Sequence, residues 1–265
     1  MVDDTKSSAD AHAGTSDGTD ILHEVLNQPG KWAVFFDIDG TLIDIAETPD
    51  GIVVPDDLAE NLTRLSAKLG GAVALVTGRA LPYADQLFKP HVFPIAGLHG
   101  AERRSMSGAI ERVTPGPDFE ALKASLAEEA AAWPGVLVED KGLAVAAHYR
   151  QAPTFKGQVE AAMERYRERA GSDFTLQRGK MVVEIRPARA SKGDALRAFL
   201  SEEPFAGRLP IAIGDDVTDE AMFRVANKLG GHSIRISDIA ADTVASATLG
   251  SAAELRALIA KLAAA

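Results

Sequence analysis

Apolar and polar positions along this chain alternate between two periods. Short unbroken apolar runs suit strands, and stretches with an apolar residue every third or fourth position suit helices. Trp32–Phe36 is apolar throughout, which predicts a strand buried on both faces. Leu58, Leu62, Leu65 and Leu69 then mark one face of a helix over 56–69, stopped by Gly70-Gly71. Apolar runs at 72–77 and 92–96 predict a second and a third strand. Strand, helix, strand at this spacing predicts a parallel sheet covered by helices. Pro49-Asp50-Gly51, between short apolar stretches, predicts the turn of a hairpin-like flap.

The middle third changes character. Phe119, Leu122 and Leu126 predict a helix over 119–132. Strands at 136–139 and 143–149 flank Asp140-Lys141-Gly142, a helix spans 155–170, and strands at 174–177 and 181–185 flank Arg178-Gly179-Lys180. Helix, hairpin, helix, hairpin predicts an α+β module with an antiparallel sheet. The earlier pattern then resumes with a helix over 191–200, opened by Ser191 and Asp194, a strand at 209–213, a helix over 218–229 and a strand at 233–236. Ser251 and Glu254 form a second capping signature before the closing helix. The fold expected is α/β, a Rossmann-like doubly wound parallel-sheet core with an inserted α+β domain. Residues 21–112 and 189–265 form the core and 113–188 the insertion, while residues 1–20, poor in large apolar side chains, read as a disordered leader.

Composition narrows the chemistry. The 265 residues are 46% hydrophobic and 25% charged, ordinary for a globular protein. A net charge of −10 argues against a general grip on nucleic acid or anionic lipid, and a phosphorylated substrate needs local positive charge. With no cysteine there is no disulfide, thiolate metal site or cysteine nucleophile. No apolar run approaches the roughly 20 residues that span a bilayer, and no signal segment is evident, so the default location is the cytoplasm.

Four places carry candidate chemistry, each at a predicted strand or helix end, where open parallel sheets bind ligands. Asp37 and Asp39 follow the first strand, two residues apart, so that their side chains are expected to converge on one volume. Carboxylates that close repel unless a cation lies between them, and Mg²⁺ is the hard ion that takes such ligands together with a phosphate. Thr77, after the second strand, offers a hydroxyl to a phosphate oxygen. Lys192 begins a helix, where it does the helix dipole no good and an incoming anion much. Asp215, Asp216, Asp219 and Glu220 crowd the loop after the strand at 209–213. Asp215 is expected to bind the metal directly, with Asp216 and Asp219 holding its waters.

The run Asp37-Ile38-Asp39-Gly40-Thr41, with Thr77, Lys192 and the acidic loop in that order, resembles the haloacid-dehalogenase superfamily of phosphatases. Further segments resemble the bacterial trehalose-6-phosphate phosphatase family: Gly97-Leu98-His99-Gly100-Ala101-Glu102-Arg103-Arg104, Ala147-His148-Tyr149-Arg150-Gln151-Ala152-Pro153, Val182-Val183-Glu184-Ile185-Arg186-Pro187 and residues 214–220. Ile38 stands where Leu or Tyr is more usual. The resemblance implies that the insertion is a substrate-specificity cap. It also implies Asp37 as nucleophile, Asp39 as general acid and base, and Thr77 and Lys192 on the phosphate. Mg²⁺ would be held by Asp37, Asp39 (through its backbone carbonyl) and Asp215. His99, Gly100, Glu102, His148, Tyr149, Arg150, Lys180 and Glu184 are the implied sugar-side residues. The expected partner is trehalose 6-phosphate, with neither nucleic acid nor membrane; association with a synthase is left open. A phosphatase for another sugar phosphate and an inactive phosphosugar-binding regulatory module are the alternatives.

Overall fold

The computed structural model describes residues 16–45, 52–112, 117–188, 190–239 and 242–265. From the N-terminal side, β1 (Ser16–Asp17) and α1 (Gly18–Asn27) precede β2 (Trp32–Phe36), α2 (Leu58–Lys68), β3 (Val73–Val76), α3 (Leu81–Leu87) and β4 (Ile95–Gly97). Two short strands follow, β5 (Glu102–Arg104) and β6 (Ile110–Arg112). The inserted module comprises α4 (Pro117–Ala130), β7 (Leu137–Asp140), β8 (Val145–His148), α5 (Lys156–Ala170), β9 (Phe174–Gly179) and β10 (Val182–Pro187). Then come α6 (Lys192–Leu200), β11 (Leu209–Gly214), α7 (Glu220–Lys228), β12 (His232–Ile236), β13 (Ala247–Leu249) and α8 (Ala252–Ala264).

Nine strands form one sheet in the order β1-β13-β12-β11-β2-β3-β4-β5-β6. The strands from β1 across to β4 are parallel, whereas β5 and β6 pair antiparallel on the β4 edge. The core sheet is thus parallel through its centre, as expected, and carries an antiparallel edge that the sequence pattern did not predict. Gly97 leads into a tight 3₁₀ turn at Leu98–Gly100, which sends the chain straight back along β4 with no crossover helix.

Alternation in β2 explains the layers. Trp32, Val34 and Phe36 pack with residues of α1, α2 and α8, while Ala33 and Phe35 pack with Leu196, Phe199, Met222 and Phe223 of α6 and α7. Both faces of the strand are dry, which is why it carries no polar residue.

Residues 16–20, expected within the leader, belong to described elements of the fold. Residues 1–15 lie outside the description, but Asp17 accepts a hydrogen bond from Thr19 N at 2.8 Å and opens α1, whose Leu22 and Val25 are buried. The flap turn at 49–51 also lies outside the described residues. The helix expected over 218–229 splits into a 3₁₀ turn at Val217–Asp219 and then α7, because the Asp216 and Asp219 side chains cap the turn reciprocally. The third strand is Ile95–Gly97, shifted from 92–96. The caps at Ser191 and Ser251 form as expected, accepting from Asp194 N at 3.1 Å and Glu254 N at 3.2 Å.

The module folds a separate antiparallel sheet, β7-β8-β10-β9. Val145, Ala147, Tyr149, Val183 and Ile185 face α4 and α5 and form its core with Phe119, Leu126 and Met163. By the two-residue period, Glu139, Ala146, His148, Glu184 and Arg186 share the opposite face, which no helix of the module covers.

Candidate active site

β11 and β2 are neighbours at the centre of the large sheet, so the loops that leave their carboxyl ends meet. Asp37, Asp215 and Asp219 thereby come together, each with an oxygen within 4.8 Å of the others. Glycine makes the approach possible: a Cβ on Gly40, whose φ is +78°, would lie 2.1 Å from Asp215 Oδ2, and one on Gly214 would lie 2.2 Å from Asp219 Cγ. Thr41 donates to Asp215 Oδ1 at 3.3 Å. Asp219, fully buried, accepts from the backbone N–H groups of Asp215 and Asp216 at 3.0 Å each.

Lys192 enters this group from the first turn of α6. Its Nζ lies 2.7 Å from Asp37 Oδ1 and 2.6 Å from Asp219 Oδ1, with only 3% of the side chain exposed. Burial pulls the ammonium pKa down, but Asp37 and Asp219 outweigh it and hold the pKa above its ordinary value. The carboxylates feel the reverse balance. Burial, with Asp219 and Asp215 as like charges, raises the Asp37 pKa well above the usual range despite Lys192. Burial and then Asp219 push Asp215 up to about 6. One lysine does not neutralise three carboxylates, and all the donors are hard oxygens, so the group suits a divalent cation such as Mg²⁺.

Asp39 does not join them. The backbone leaves the extended conformation after Phe36: the N–H groups of Thr41, Leu42 and Ile43 all turn back onto Ile38 O, ending the two-residue period on which convergence depended. The Asp39 carboxylate is instead held by Arg79, Nε to Oδ2 at 2.6 Å and Nη2 to Oδ1 at 2.5 Å. Among the predicted ligands, Asp219 thus stands in the cluster itself rather than behind it, while Asp216 is exposed and caps the 3₁₀ turn.

Thr77 is fully buried at the end of β3, its Oγ1 accepting from Arg79 N at 3.1 Å. Its carbonyl accepts from His99 N at 2.9 Å. His99 has φ +57°, an uncommon conformation for a residue with a side chain. Its ring lies under Gly78, where a Cβ would come 2.7 Å from Cε1. Burial, then repulsion by Lys192, Arg186 and Lys141, takes the imidazole well below its usual pKa, so it is neutral. Gly100 packs against Ser191 O at the start of α6.

Two of the expected sugar-side residues are committed elsewhere. Glu102 is buried, with Oε1 accepting from Leu81 N at 2.6 Å and Oε2 from Arg112 Nε at 3.0 Å, so it anchors the first turn of α3 to β6. Tyr149 lies in the module's core, one residue out of phase with His148 and hence on the helix side of the sheet. His148 and Glu184 share the open face. Glu184 accepts from Lys141 Nζ at 2.8 Å, and His148 Nε2 lies 2.9 Å from Glu139 Oε2. Arg150 and Lys180 are exposed, with no ion-pair partner among the described residues.

That face looks onto the carboxylate site. A cavity of about 230 Å³ is lined by Gln177 and Arg186 from the module and by His99, Ser191, Lys192 and Thr218 from the core. His99 Nδ1 and Arg186 Nε are buried there without a hydrogen-bond partner among the described residues. Carboxylates gathered beside a buried lysine therefore lie next to a cavity that a polar sheet closes on its other side.

The trehalose-phosphatase family model matches residues 35–255, a span that includes every element of this site. The chain belongs to the trehalose-phosphatase family. A probable trehalose-phosphate phosphatase of Sinorhizobium fredii is 58% identical over 246 residues, covering 93% of each chain. The trehalose-6-phosphate phosphatase of Escherichia coli is 43% identical over 219 residues, 82% of each. Among solved structures, the C-terminal domain of the C. albicans trehalose-6-phosphate phosphatase superposes with a TM-score of 0.78 over 96% of this chain and 99% of that one, at 20% identity. At that identity the likeness shows a shared fold.

For a member of this family the sequence reading passed over five residues that the geometry brings forward. Thr41 closes the Asp37–Thr41 run and Arg79 follows Thr77 by two residues, and each binds a carboxylate expected at the site. Glu139 and Lys141 pair with residues on the open face, and the strand period could have identified Glu139. Arg186 carried a signal as well, being two residues from Glu184 on one strand and so on the same face.

Proposed function

We propose that this protein hydrolyses trehalose 6-phosphate to trehalose and phosphate through an aspartyl-phosphate intermediate. The observation that carries the reading is the buried group of Asp37, Asp215 and Asp219 around Lys192 at the carboxyl ends of β2 and β11. Asp37 attacks phosphorus: its oxygen–phosphorus bond forms as the bond from phosphorus to the sugar oxygen breaks. Asp39 gives that departing oxygen a proton, then takes one from the water that cleaves the phosphoenzyme. Lys192 holds one Asp37 oxygen and thereby aims the other. The Thr77 hydroxyl and the Lys192 ammonium meet equatorial phosphoryl oxygens, the electrostatic positioning on which such transfers depend.

The carboxylate group would hold Mg²⁺ through Asp37 and Asp215, with the Asp39 backbone carbonyl as third ligand. When bound, the ion neutralises charge between the carboxylates and the phosphoryl group. Asp219 fixes Lys192 and the acidic loop. On the sugar side, Lys141, His148, Arg150, Lys180 and Glu184 offer donors and acceptors suited to hydroxyls. The module spanning 113–188 closes over the disaccharide and excludes bulk water.

No helix among the described residues is long and apolar enough to cross a membrane. We place the reaction in the cytoplasm, where a charged sugar phosphate is retained. Phosphate release from a panel of sugar phosphates, with and without Mg²⁺, tests the proposal. Trehalose 6-phosphate is expected to be preferred and the reaction to need the metal. Equal rates on glucose 6-phosphate or sucrose phosphate would remove the substrate assignment, and no release from any would remove the catalytic one.

A further inference from the structure

We infer that Arg79 is a positioning residue for Asp39, fixing the carboxylate out of the metal cluster and beneath the cap, where the sugar oxygen departs. The inference rests on the proposed role of Asp39 as the group that serves the leaving oxygen. Three observations carry it. The first is the fork: two guanidinium nitrogens at 2.6 and 2.5 Å take both carboxylate oxygens, a geometry that a single ammonium cannot reproduce.

The second is the rigidity of the base on which the fork stands. Arg79 N donates to Thr77 Oγ1 at 3.1 Å and its carbonyl accepts from Leu98 N at 3.0 Å, while the guanidinium stacks 4.5 Å from the Tyr83 ring centroid. Backbone and side chain are both held, so the carboxylate they hold has one place to be. The third is direction. Arg79 contributes to lowering the pKa of Glu139 on the open face of the cap sheet, after the His148 hydrogen bond and Lys141, so the pair lies within electrostatic reach of that face. Asp37, Asp215 and Asp219 gather without Asp39.

Asp39 opens a loop in which Thr41, Leu42 and Ile43 fold back on Ile38 O, and rotation about its side-chain bonds leaves the carboxylate a choice of directions. One choice is the cluster, where a fourth carboxylate would compete for the cation. Arg79 closes that choice. To carry the proton it delivers, one Asp39 oxygen gives up its guanidinium contact on protonation and regains it once the proton has passed to the sugar oxygen, while the other contact maintains the direction.

The test is a double-substitution cycle in the full-length protein with saturating Mg²⁺, comparing Arg79→Gln, Asp39→Asn and the two combined, with kcat/KM on trehalose 6-phosphate as the readout. A group misplaced by about 1 Å loses on the order of a hundredfold, and Arg79→Gln is expected to lose between about tenfold and that figure. If Arg79 acts through Asp39, the combined variant loses no more than about threefold beyond Asp39→Asn alone. Losses that multiply would overturn the inference and make Arg79 an independent substrate ligand.

Two sugar-free esters add a second readout. Phenyl phosphate has a poor leaving group and p-nitrophenyl phosphate a good one, so loss of a correctly aimed acid harms the first more. Arg79→Gln and Arg79→Lys are both expected to raise the p-nitrophenyl to phenyl ratio by about tenfold, a part of the usual general-acid contribution. An unchanged ratio contradicts the inference. If Asp39→Asn itself leaves the ratio unchanged, the acid role of Asp39 falls instead, and the cycle still decides whether Arg79 works through it. Unaltered melting temperatures separate either result from misfolding.

Discussion

The two faces that meet at the cavity are both rich in charge, yet they are built on opposite terms. On the core side the carboxylates outnumber their counter-ions: Asp37 and Asp219 hold Lys192 between them, half-buried Asp215 lies beside them, and burial drives Asp37 and Asp215 away from their ordinary pKa values. On the cap side Lys141 pairs with Glu184 and Glu139 with His148, the second pair with 48% and 36% of the side chains exposed, while Arg150 and Lys180 have no ion-pair partner among the described residues. A buried, unbalanced group is held rigidly and lacks a cation, which suits it to a metal and a phosphoryl group. Pairs near the surface are worth about 1 kcal/mol or less. The Glu139–His148 pair can exchange partners for sugar hydroxyls at small cost, whereas Glu184 is buried. The proposed function therefore puts chemistry and selectivity on different elements, and substitutions should separate them.

The sharpest way to break this division is at Asp37. Asp37→Asn keeps the shape and removes the nucleophile, and kcat should fall by roughly 10⁴-fold or more on every phosphate ester. Substantial remaining turnover on simple esters would show that the core face is not where the chemistry occurs. Lys192→Ala comes next. It leaves Asp37 and Asp219 buried together without their shared cation, which should cost about 3 kcal/mol or more and lower the melting temperature of the metal-free protein by several degrees. A metal-free variant as stable as the wild type would mean that the lysine does not balance the group.

On the cap side, Glu184→Ala should reduce kcat/KM on trehalose 6-phosphate by about 10- to 100-fold, as loss of a buried polar partner does, and leave p-nitrophenyl phosphate nearly untouched. Equal losses on both esters would erase the division. The effect of pH is smaller. Asp215 is raised from 3.8 to about 6, so the folded protein holds this proton more tightly than the unfolded chain. Its contribution to stability is complete below about pH 4 and is lost as pH rises through about 6. Mg²⁺ competes with the same proton, so the melting-temperature gain on adding Mg²⁺ should be larger at pH 7 than at pH 5. A gain independent of pH would remove Asp215 as a ligand. The smallest effect is expected from Tyr149→Phe, which keeps the ring in the cap's core and should change kcat/KM by less than about twofold. A tenfold loss would return Tyr149 to the substrate.

These contrasts track what could be read in the chain. The parallel core was legible because Trp32–Phe36 and Val73–Val76 are unbroken apolar runs followed at once by polar residues. The caps at Ser191 and Ser251 were legible because their chemistry is local. What depends on contacts distant in sequence was not legible. Asp39 turns to Arg79, 40 positions away, because the loop after β2 abandons the extended conformation. Glu102 is used up by Leu81 N and Arg112, neither of which its own segment reveals. Tyr149 is a different case: its neighbour His148 is on the open face, so strict alternation would have turned it inward. Likewise β1 and α1 lie among small and polar residues that resemble a leader, and only the burial of Leu22 and Val25 against the core separates them from it.

The most direct test of the central claim is to trap the intermediate. Protein mixed with radiolabelled trehalose 6-phosphate and Mg²⁺, quenched in acid within the first turnover and digested, should carry label on the peptide that contains Asp37, as an acyl phosphate that hydroxylamine releases. Label on another residue, or none in a preparation that turns over normally, would contradict the account.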